Sequence, residues 1–478
     1  MLMEPAMRVA RSARLTKTAA ALIGAAALSP ALPVPMASAQ SATGIPAVLD
    51  TVTATANPAG VAHTFQVAGP TATAANAFFQ SLGTNGRSCA TCHDPQAGWS
   101  VTPTGINARF QVTQGTDPLF RLNDGATCST APVDTPINQM RAYALLLSKG
   151  VFRIALPVPA NAQFTLSVTS DPYGCNTNPA TGLTSASSGT LSVYRRPLPA
   201  TNLRFQTSVM WDGREATLTT QAVAATLGHA EATTAPSLPQ QAQMVAFESG
   251  EFTAQATTNA AGPLDLLGAT GGVGPLAQQP FTVGMNDPNS GLFDRAAFKL
   301  YTAWQSLTGA DPATLARQSI ARGEQIFNTR AFTITNVPGL TTQANPSVQG
   351  SCTTCHNTPN VGTHSTNVLM NIGVSNANAP AALDVASLPV FTLTCVAGPL
   401  AGRTFTVTDP GQAMITGRCS DIGRMKVPAL RGLAGRAPYF HNGSATTLGN
   451  VVGFYNGRFN LGLTQQERTD LVNFLRAL

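Results

Sequence analysis

CATCH at Cys89–His93 and CTTCH at Cys352–His356 decide how this chain is read, because both follow the pattern Cys-x-x-Cys-His. In such a pentad the two thiols can form thioether bonds to a porphyrin, and the adjacent histidine can ligate the iron. A single pentad could arise by chance or form half of a zinc clamp. Two pentads in an exported chain favour two covalently bound haem c groups over zinc or plain disulfides.

Residues 1–39 have the features of a secretory signal peptide. A basic start is followed by an Ala/Leu-rich stretch, and Ala37–Ala39 matches an A-x-A cleavage site. We therefore expect a mature chain that begins near Gln40 and is periplasmic or otherwise exported. No later segment reaches ~18 uninterrupted apolar residues, so we expect no membrane span in the mature protein.

The charge of the chain indicates no nucleic-acid or membrane-surface partner. Its formal net charge is +6, and charged residues make up only 10% of the chain. Part of the positive charge lies in residues 1–39, and the propionates of two haems would offset the remainder.

Eight cysteines are present, and the two pentads use four of them. The other four are Cys128, Cys175, Cys395 and Cys419, which can pair in three ways. An even number suits an oxidising compartment. We expect Cys128–Cys175 and Cys395–Cys419, because these bridges stay within one haem domain; free buried thiols are the alternative. Each bridge would stabilise the fold by roughly 3–4 kcal/mol.

The length and the spacing of the pentads predict a mainly α fold of two cytochrome c-like haem domains. The first would span residues 40–308 and the second residues 309–478. Residues 94–195 are dense in Gly, Pro, Asn, Ser and Thr and would form a long loop- and β-rich insertion in the first domain. A strand-like run at 163–168 supports that interpretation.

Helices are predicted at 73–82, 217–227, 292–307, 311–327 and 464–478. Asp311 followed by Pro312 supplies a cap and a first-position proline for the fourth of these helices. Thr464 and Glu467 form a capping box for the last one.

Two further stretches carry a family resemblance. RMKVPALRGLAGRAPYFHNGSATTLGNVVGFYNGRF at 424–459 and WDGREATLTTQ at 211–221 resemble the signature of bacterial di-haem cytochrome c peroxidases. That superfamily includes the rubber oxygenases and the di-haem enzyme that matures the tryptophan-derived cofactor of methylamine dehydrogenase. The resemblance does not cover the 94–195 insertion, which is longer than in ordinary peroxidases. It implies one reactive haem and one haem that serves as an electron reservoir.

The resemblance also implies roles for single residues. His93 and His356 would be the proximal ligands of the N-terminal and C-terminal haems. Trp211 matches the tryptophan between the haems, where an indole can be transiently oxidised; a packed core tryptophan is the alternative. His441 matches a family position and would bond a propionate or the backbone.

Gln221 and Glu231 match the distal polar pair over the reactive haem in the family. Glu231 is therefore the expected general acid/base, which moves a proton between the two peroxide oxygens. Gln221 would orient Glu231 or the bound peroxide. The alternative for Glu231 is a solvated residue just past a helix end.

The chain departs from the peroxidase pattern at the reactive haem. Ordinary peroxidases carry a histidine between the first pentad and the tryptophan, and it blocks this haem until activation. No histidine lies between His93 and Trp211 here, so the haem is expected to be open. His229 complicates this expectation, because it could be an iron ligand, a distal catalytic group or a structural histidine.

Two other departures concern the C-terminal haem and a calcium ion. Tyr455 stands where the peroxidases place a Met ligand, and a phenolate there would lower the reduction potential. Met425 is the rival ligand, and a packed helix aromatic is the alternative for Tyr455.

Arg196 and Arg436 stand where an Asn and a Thr would offer oxygen atoms to calcium, so a calcium site is doubtful.

These features predict an exported di-haem c-type peroxidase-like oxidoreductase. It would reduce hydrogen peroxide at the N-terminal haem with electrons relayed from the C-terminal haem. The electrons would come from a small redox donor protein such as a cytochrome c or a cupredoxin. The alternatives are a di-haem oxidase or oxygenase acting on an organic or protein substrate, and a non-enzymatic di-haem electron carrier.

Overall fold

The computed structural model describes residues 45–478, so the expected signal peptide at 1–39 lies outside the described residues. The helices of the described part are α1 (Pro103–Thr113), α2 (Pro136–Ala142), α3 (Ala144–Lys149), α4 (Leu218–Gly228), α5 (Leu238–Gly250), α6 (Val273–Gln278), α7 (Pro312–Thr329), α8 (Ala413–Thr416), α9 (Leu448–Arg458) and α10 (Gln465–Arg476). No described helix is long and apolar enough to cross a bilayer.

The strands of the described part are short, and all of their pairings are antiparallel. They are β1 (Val48–Leu49), β2 (Val52–Asn57), β3 (Gly60–Gln66), β4 (Thr71–Ala72), β5 (Phe152–Pro157), β6 (Phe164–Ser170), β7 (Leu183–Ser185), β8 (Ser188–Arg195), β9 (Glu251–Thr258), β10 (Gly262–Pro263), β11 (Phe332–Thr335), β12 (Ser347–Gly350), β13 (Val390–Cys395) and β14 (Thr404–Val407). They form five sheets with the orders β1-β4, β10-β9-β3-β2, β11-β12, β14-β13-β6 and β5-β8-β7.

The prediction of a mainly α fold is wrong, because 29% of the structure is helical and 19% lies in strands of five sheets. The four-stranded sheet shows why the sequence misled. Its central strand β3 alternates between buried and partly buried positions, but the buried ones include Gly60 and Thr64 as well as Ala62. A strand whose inward positions are small or polar carries little of the apolar alternation from which strands are predicted.

Helix predictions based on capping residues are confirmed. The Asp311 side chain accepts the Thr314 N–H at 3.0 Å at the start of α7. Thr464 and Glu467 form the reciprocal capping box of α10, and α4 begins after its cap Thr217. In each case the side chain satisfies an N–H that the first turn leaves free.

The helix predictions at 73–82 and 292–307 are wrong. The first segment forms two 3₁₀ turns, and the second contains only the 3₁₀ turn Thr302–Ser306. In the second segment, side chains of α7 accept hydrogen bonds from backbone N–H groups. Asn328 accepts the Phe298 N–H at 3.1 Å, and Glu324 accepts the Tyr301 N–H at 2.9 Å. Those bonds replace the ones that a helix would make.

The 94–195 segment contains α1–α3 as well as β5–β8, so it is less loop-rich than expected. Strand β6 includes most of the predicted run at 163–168 and pairs with β13, which belongs to the C-terminal part of the chain. The described residues 45–478 belong to one compact unit by their contacts. The division at 308/309 stays a prediction.

The two expected cysteine pairs are the pairs that the structure joins. The Cα atoms of Cys128 and Cys175 are 5.3 Å apart, and those of Cys395 and Cys419 are 6.1 Å apart. The pentad cysteines keep free thiols.

The C-terminal part is built around α7 and α10, which approach so closely that a Cβ at Gly323 would collide with the carbonyl of Asp470. This packing brings Phe327 of α7 within 6.0 Å of the His356 ring, between ring centroids.

Candidate functional site

Each pentad forms the same short structure. Cys89–Thr91 is a 3₁₀ turn with a capping box between Ser88 and Thr91. Cys352–Thr354 is its counterpart, with a capping box between Ser351 and Thr354. The sequence therefore builds two equal turns that present two thiols and one imidazole each.

The two pentad histidines are oriented in the same way. His93 Nδ1 donates to the carbonyl of Trp99 at 3.1 Å, and His356 Nδ1 donates to the carbonyl of Gly362 at 2.6 Å. Such a bond sets the tautomer and leaves Nε2 as the nitrogen available to a metal. Burial lowers the pKa of both imidazoles to about 4, so both are neutral at pH 7, as a metal ligand must be.

Each pentad faces its own large cavity with mostly apolar walls. The lining of the first cavity includes Cys89, Cys92 and His93. The lining of the second includes Cys352, Cys355 and His356. Paired free thiols and a neutral imidazole in an apolar cavity are what a covalently attached haem requires, so the residues present fit one haem in each cavity.

Trp211 lies between the cavities and contributes to the lining of both, as do Arg196 and Lys426. The Trp211 indole N–H donates to the carbonyl of Arg196 at 2.8 Å, and its ring centroid is 6.1 Å from that of His441. Burial lowers the pKa of Lys426 to about 7. The structure therefore places an oxidisable ring and a buried amine between the two candidate haem sites.

A turn followed by a helix occurs twice, once at each cavity. Met210 and Gly213 have positive φ in the first turn, and Phe440 and Gly443 have positive φ in the second. The bridges Val209–Glu215 and Tyr439–Ala445 close the two turns. The first turn leads to α4 with cap Thr217, and the second leads to α9 with cap Thr447.

This internal repeat aligns Ala225 of α4 with Tyr455 of α9, because both stand at the same position counted from the helix caps. Ala225 lines the first cavity and Tyr455 lines the second. The Tyr455 hydroxyl makes no side-chain hydrogen bond among the described residues. A tyrosine hydroxyl in an apolar interior normally finds a partner, and an iron at His356 would supply one.

Met425, the rival ligand, also lines the second cavity. Its backbone is held by Met370, which exchanges two hydrogen bonds with it at 2.9 and 3.0 Å. Tyr455 packs against Phe454 and Phe459. The structure thus brings both candidate ligands to the cavity of His356.

The candidate distal residues of the first cavity do not all reach it. Gln221 and His229 line it, together with Trp211. Glu231 is exposed, has a positive φ of 55° and is not part of the lining. Its contact in this region is through the backbone, where its carbonyl accepts the Thr84 hydroxyl at 2.9 Å.

Two residues that sequence reasoning missed, Asp124 and Arg87, complete this side of the cavity. His229 Nδ1 donates to Asp124 Oδ2 at 2.5 Å, and Arg87 forms an ion pair with the same carboxylate. Burial alone would raise the pKa of Asp124, but its bond to His229 and the charge of Arg87 hold it below the usual value. Asp124 lies in the sequence Asn-Asp-Gly, which predicts a turn. This pattern does not indicate a contact between Asp124 and His229.

His441 lies in a buried polar network rather than alone. Its Nε2 is 3.8 Å from Asp409. Arg195 binds both oxygens of Asp409, at 2.7 and 2.9 Å, and also pairs with Asp212 beside Trp211. This network fixes the backbone on both sides of Trp211.

At the expected calcium position the structure places two buried guanidinium groups. Arg196 donates to the carbonyls of Lys149, Val101 and Arg436 at 2.9, 2.6 and 3.1 Å. Burial and the charge of Arg436 lower the pKa of Arg196 to about 9. The carbonyl oxygens around Arg196 are thus bound to a cationic side chain.

Comparison with known proteins agrees with this geometry. Residues 78–259 match the model of the family described as di-haem cytochrome c peroxidase. Residues 78–259 of the chain are thus similar to this family. The match includes the first pentad, Trp211 and α4, so the predicted resemblance is confirmed. This similarity supports haem cofactors and an oxidoreductase enzyme.

Three curated peroxidases are similar to parts of the chain. Cytochrome-c peroxidase IdrP2 of Denitromonas iodatirespirans is 34% identical over 141 residues, which are 27% of this chain and 36% of that protein. IdrP1 of the same organism is 42% identical over 81 residues, 15% of this chain and 22% of that protein. IdrP1 of Pseudomonas sp. (strain SCT) is 36% identical over 81 residues, 15% and 21%. The chain thus matches roughly a fifth to a third of the length of these peroxidases.

A solved structure of a MauG-like protein associated with microbial copper homeostasis is also similar. It has a TM-score of 0.33 and 16% sequence identity, and covers 60% of this chain and 76% of its own.

Proposed function

We propose that this chain is an exported enzyme with two covalently bound haem c groups. It reduces hydrogen peroxide in the first cavity with electrons that arrive through the second. A small donor protein, such as a cytochrome c or a cupredoxin, supplies the electrons.

The observation that carries this proposal is the difference between Ala225 and Tyr455. The two cavities are built from equal pentads and equal turn–helix units, but the aligned helix position differs. Alanine leaves space for a small oxidant beside His93, whereas tyrosine presents an oxygen ligand beside His356. One site can therefore bind substrate, and the other is suited to electron transfer.

A haem held in the first cavity would supply the redox chemistry, and the side chains of the chain do the rest. Cys89 and Cys92 would attach the porphyrin, and His93 would bind the iron through Nε2. Gln221 orients the oxidant by hydrogen bonding from α4. Trp211 divides the electron path between the cavities into two shorter steps.

The test combines haem counting with turnover. Mass spectrometry of the purified protein is expected to show two haems, and reduced cytochrome c is expected to be oxidised when peroxide is added. The double variants Cys89→Ser/Cys92→Ser and Cys352→Ser/Cys355→Ser should each lose one haem and the turnover. A protein with two haems that consumes no peroxide with any reduced donor would contradict the proposal.

One observation favours an oxygenase as the second candidate. The 94–195 segment contributes Phe152 and Ile154 to the first cavity, which Leu82 and Leu218 also line. This apolar wall would suit an organic substrate better than peroxide alone requires. Consumption of molecular oxygen with an added organic substrate, in the absence of peroxide, would favour this function.

A further inference from the structure

His229 is held rigidly at the edge of the first cavity. It ends α4, and its backbone carbonyl accepts hydrogen bonds from the side chains of Asn85, Asn123 and Arg87, at 2.8, 3.2 and 3.2 Å. Its ring is fixed by the 2.5 Å bond from Nδ1 to Asp124. The side chain is 39% exposed, so it reaches both the cavity and water.

The surroundings of Asp124 fix its carboxylate in place beside His229. It is buried and lies in the 94–195 segment, where its carbonyl accepts the Arg153 N–H at 2.7 Å. Arg87, only 1% exposed, pairs with its other oxygen and donates to the carbonyls of Pro118 and Leu119, both at 2.8 Å. The carboxylate therefore has one oxygen for Arg87 and one for the imidazole.

We propose that Asp124 and His229 form the acid–base dyad of the first cavity, with His229 as the catalytic residue and Asp124 as the positioning residue. The inference rests on the proposed peroxide reduction. With Nδ1–H bonded to Asp124, the lone pair of Nε2 is the basic site that faces substrate. Glu231, two residues later, is turned to solvent.

The dyad balances the reaction as follows. His229 Nε2 takes the proton from one oxygen of hydrogen peroxide and gives it to the other oxygen. The O–O bond breaks, and the protonated oxygen leaves as water. The remaining oxygen leaves as a second water after it has received two electrons from the donor protein and two protons from solvent.

Cyanide binding tests the dyad without turnover, because hydrogen cyanide must lose its proton before it ligates iron. Stopped-flow association of cyanide with the ferric holoprotein should slow by about 100-fold in His229→Gln. Asp124→Asn should slow it by about 10-fold. His63→Gln and Asp134→Asn are matched controls, since His63 lies on β3 and Asp134 is exposed, and neither lines the cavity.

The pH dependence of cyanide association distinguishes a positioning role of Asp124 from a general loss of structure in the variant. Other ionisable groups in the lining are Arg87, Cys89, Cys92, His93, Arg195, Arg196, Arg214, Glu248 and Lys426, and they remain in both variants. Asp124→Asn should change the pH profile of cyanide association, because the carboxylate that accepts the His229 Nδ1–H is lost. His229→Gln should remove the contribution of the imidazole to that profile. If Asp124→Asn fails to fold because Arg87 loses its partner, His229→Gln still decides, since it leaves the Arg87–Asp124 pair intact.

Three results would overturn the dyad. The first is unchanged cyanide association in His229→Gln. The second is a loss of association in Glu231→Gln with His229→Gln unaffected. The third is conversion of one haem from low to high spin in the electron paramagnetic resonance spectrum of His229→Gln, which would make His229 an iron ligand. If wild-type protein consumes no peroxide but cyanide association depends on His229, the proposed function fails and the dyad stands.

Discussion

Tyr455 shows how one side chain can set the role of a whole cavity. It stands where α4 has Ala225, and its hydroxyl has no side-chain partner among the described residues. If it ligates the iron at His356, Tyr455→Phe should change the ferric optical spectrum of that haem. The same substitution should raise its reduction potential by ~0.1 V, a fraction of the range of roughly 0.8 V that axial ligands span.

Met425→Leu is the matched control, because Met425 lines the same cavity. Its spectrum should equal that of the wild-type protein. A changed spectrum in Met425→Leu with an unchanged one in Tyr455→Phe would instead make the methionine the ligand.

Glu248 gives a pH dependence that can be tested on stability. It lines the first cavity, its Oε2 has no partner in the described structure, and burial raises its pKa to about 8. Between pH 4.5 and 8 the folded protein keeps this proton while the unfolded chain releases it, so stability falls as pH rises. Below pH 4.5 both states are protonated, and the effect vanishes.

Glu248→Gln should therefore stabilise the holoprotein by about 2 kcal/mol at pH 8 and by much less at pH 5. Urea unfolding at the two pH values measures this difference, with Asp134→Asn as the control. Equal differences at both pH values would contradict a buried, protonated Glu248.

At the scale of elements, the sequence predicted the helices that depend on neighbouring residues. It did not predict the elements that depend on residues distant in the chain. The caps of α7 and α10 are encoded within four residues, so the sequence revealed both helices. The helix expected at 292–307 failed because Asn328 and Glu324, distant in sequence, capture its N–H groups. The sheets were missed for the same reason, since β3 is completed by β9 from far along the chain.

The candidate site divides in the same way. Motifs identified both pentads, Trp211, Gln221, His229 and Tyr455 as residues of the two cavities. They did not reveal the bond between Asp124 and His229, whose partners are 105 positions apart. They also assigned the acid–base role to Glu231, and no sequence feature shows that its backbone turns it away from the cavity.

The bridge between Cys128 and Cys175 belongs to the segment that carries Asp124. Replacing both cysteines with serine should lower the free energy of unfolding by roughly 3–4 kcal/mol and make residues 124–176 accessible to limited proteolysis. Cyanide association should slow with it, because Asp124 loses its fixed position. Cys395→Ser/Cys419→Ser is the control: it should lower stability without slowing cyanide association. Equal effects of the two double variants on association would contradict this role.

At the scale of the molecule, the two cavities are connected by shared residues. Trp211, Arg196 and Lys426 line both of them, and the ion pairs of Arg195 with Asp212 and Asp409 hold the structure around Trp211. In the proposed function, substrate chemistry at His93 and electron entry at His356 would depend on this connection.

We propose that the first cavity accepts peroxide without prior activation, because Ala225 lines it at the position that Tyr455 occupies in the second cavity. The most direct test is rapid mixing of the fully ferric protein with one equivalent of hydrogen peroxide, followed by optical absorbance in the Soret band. We expect a prompt spectral change. A change that occurs only after half-reduction would contradict an open resting site, and no change in either state would contradict peroxide reduction itself.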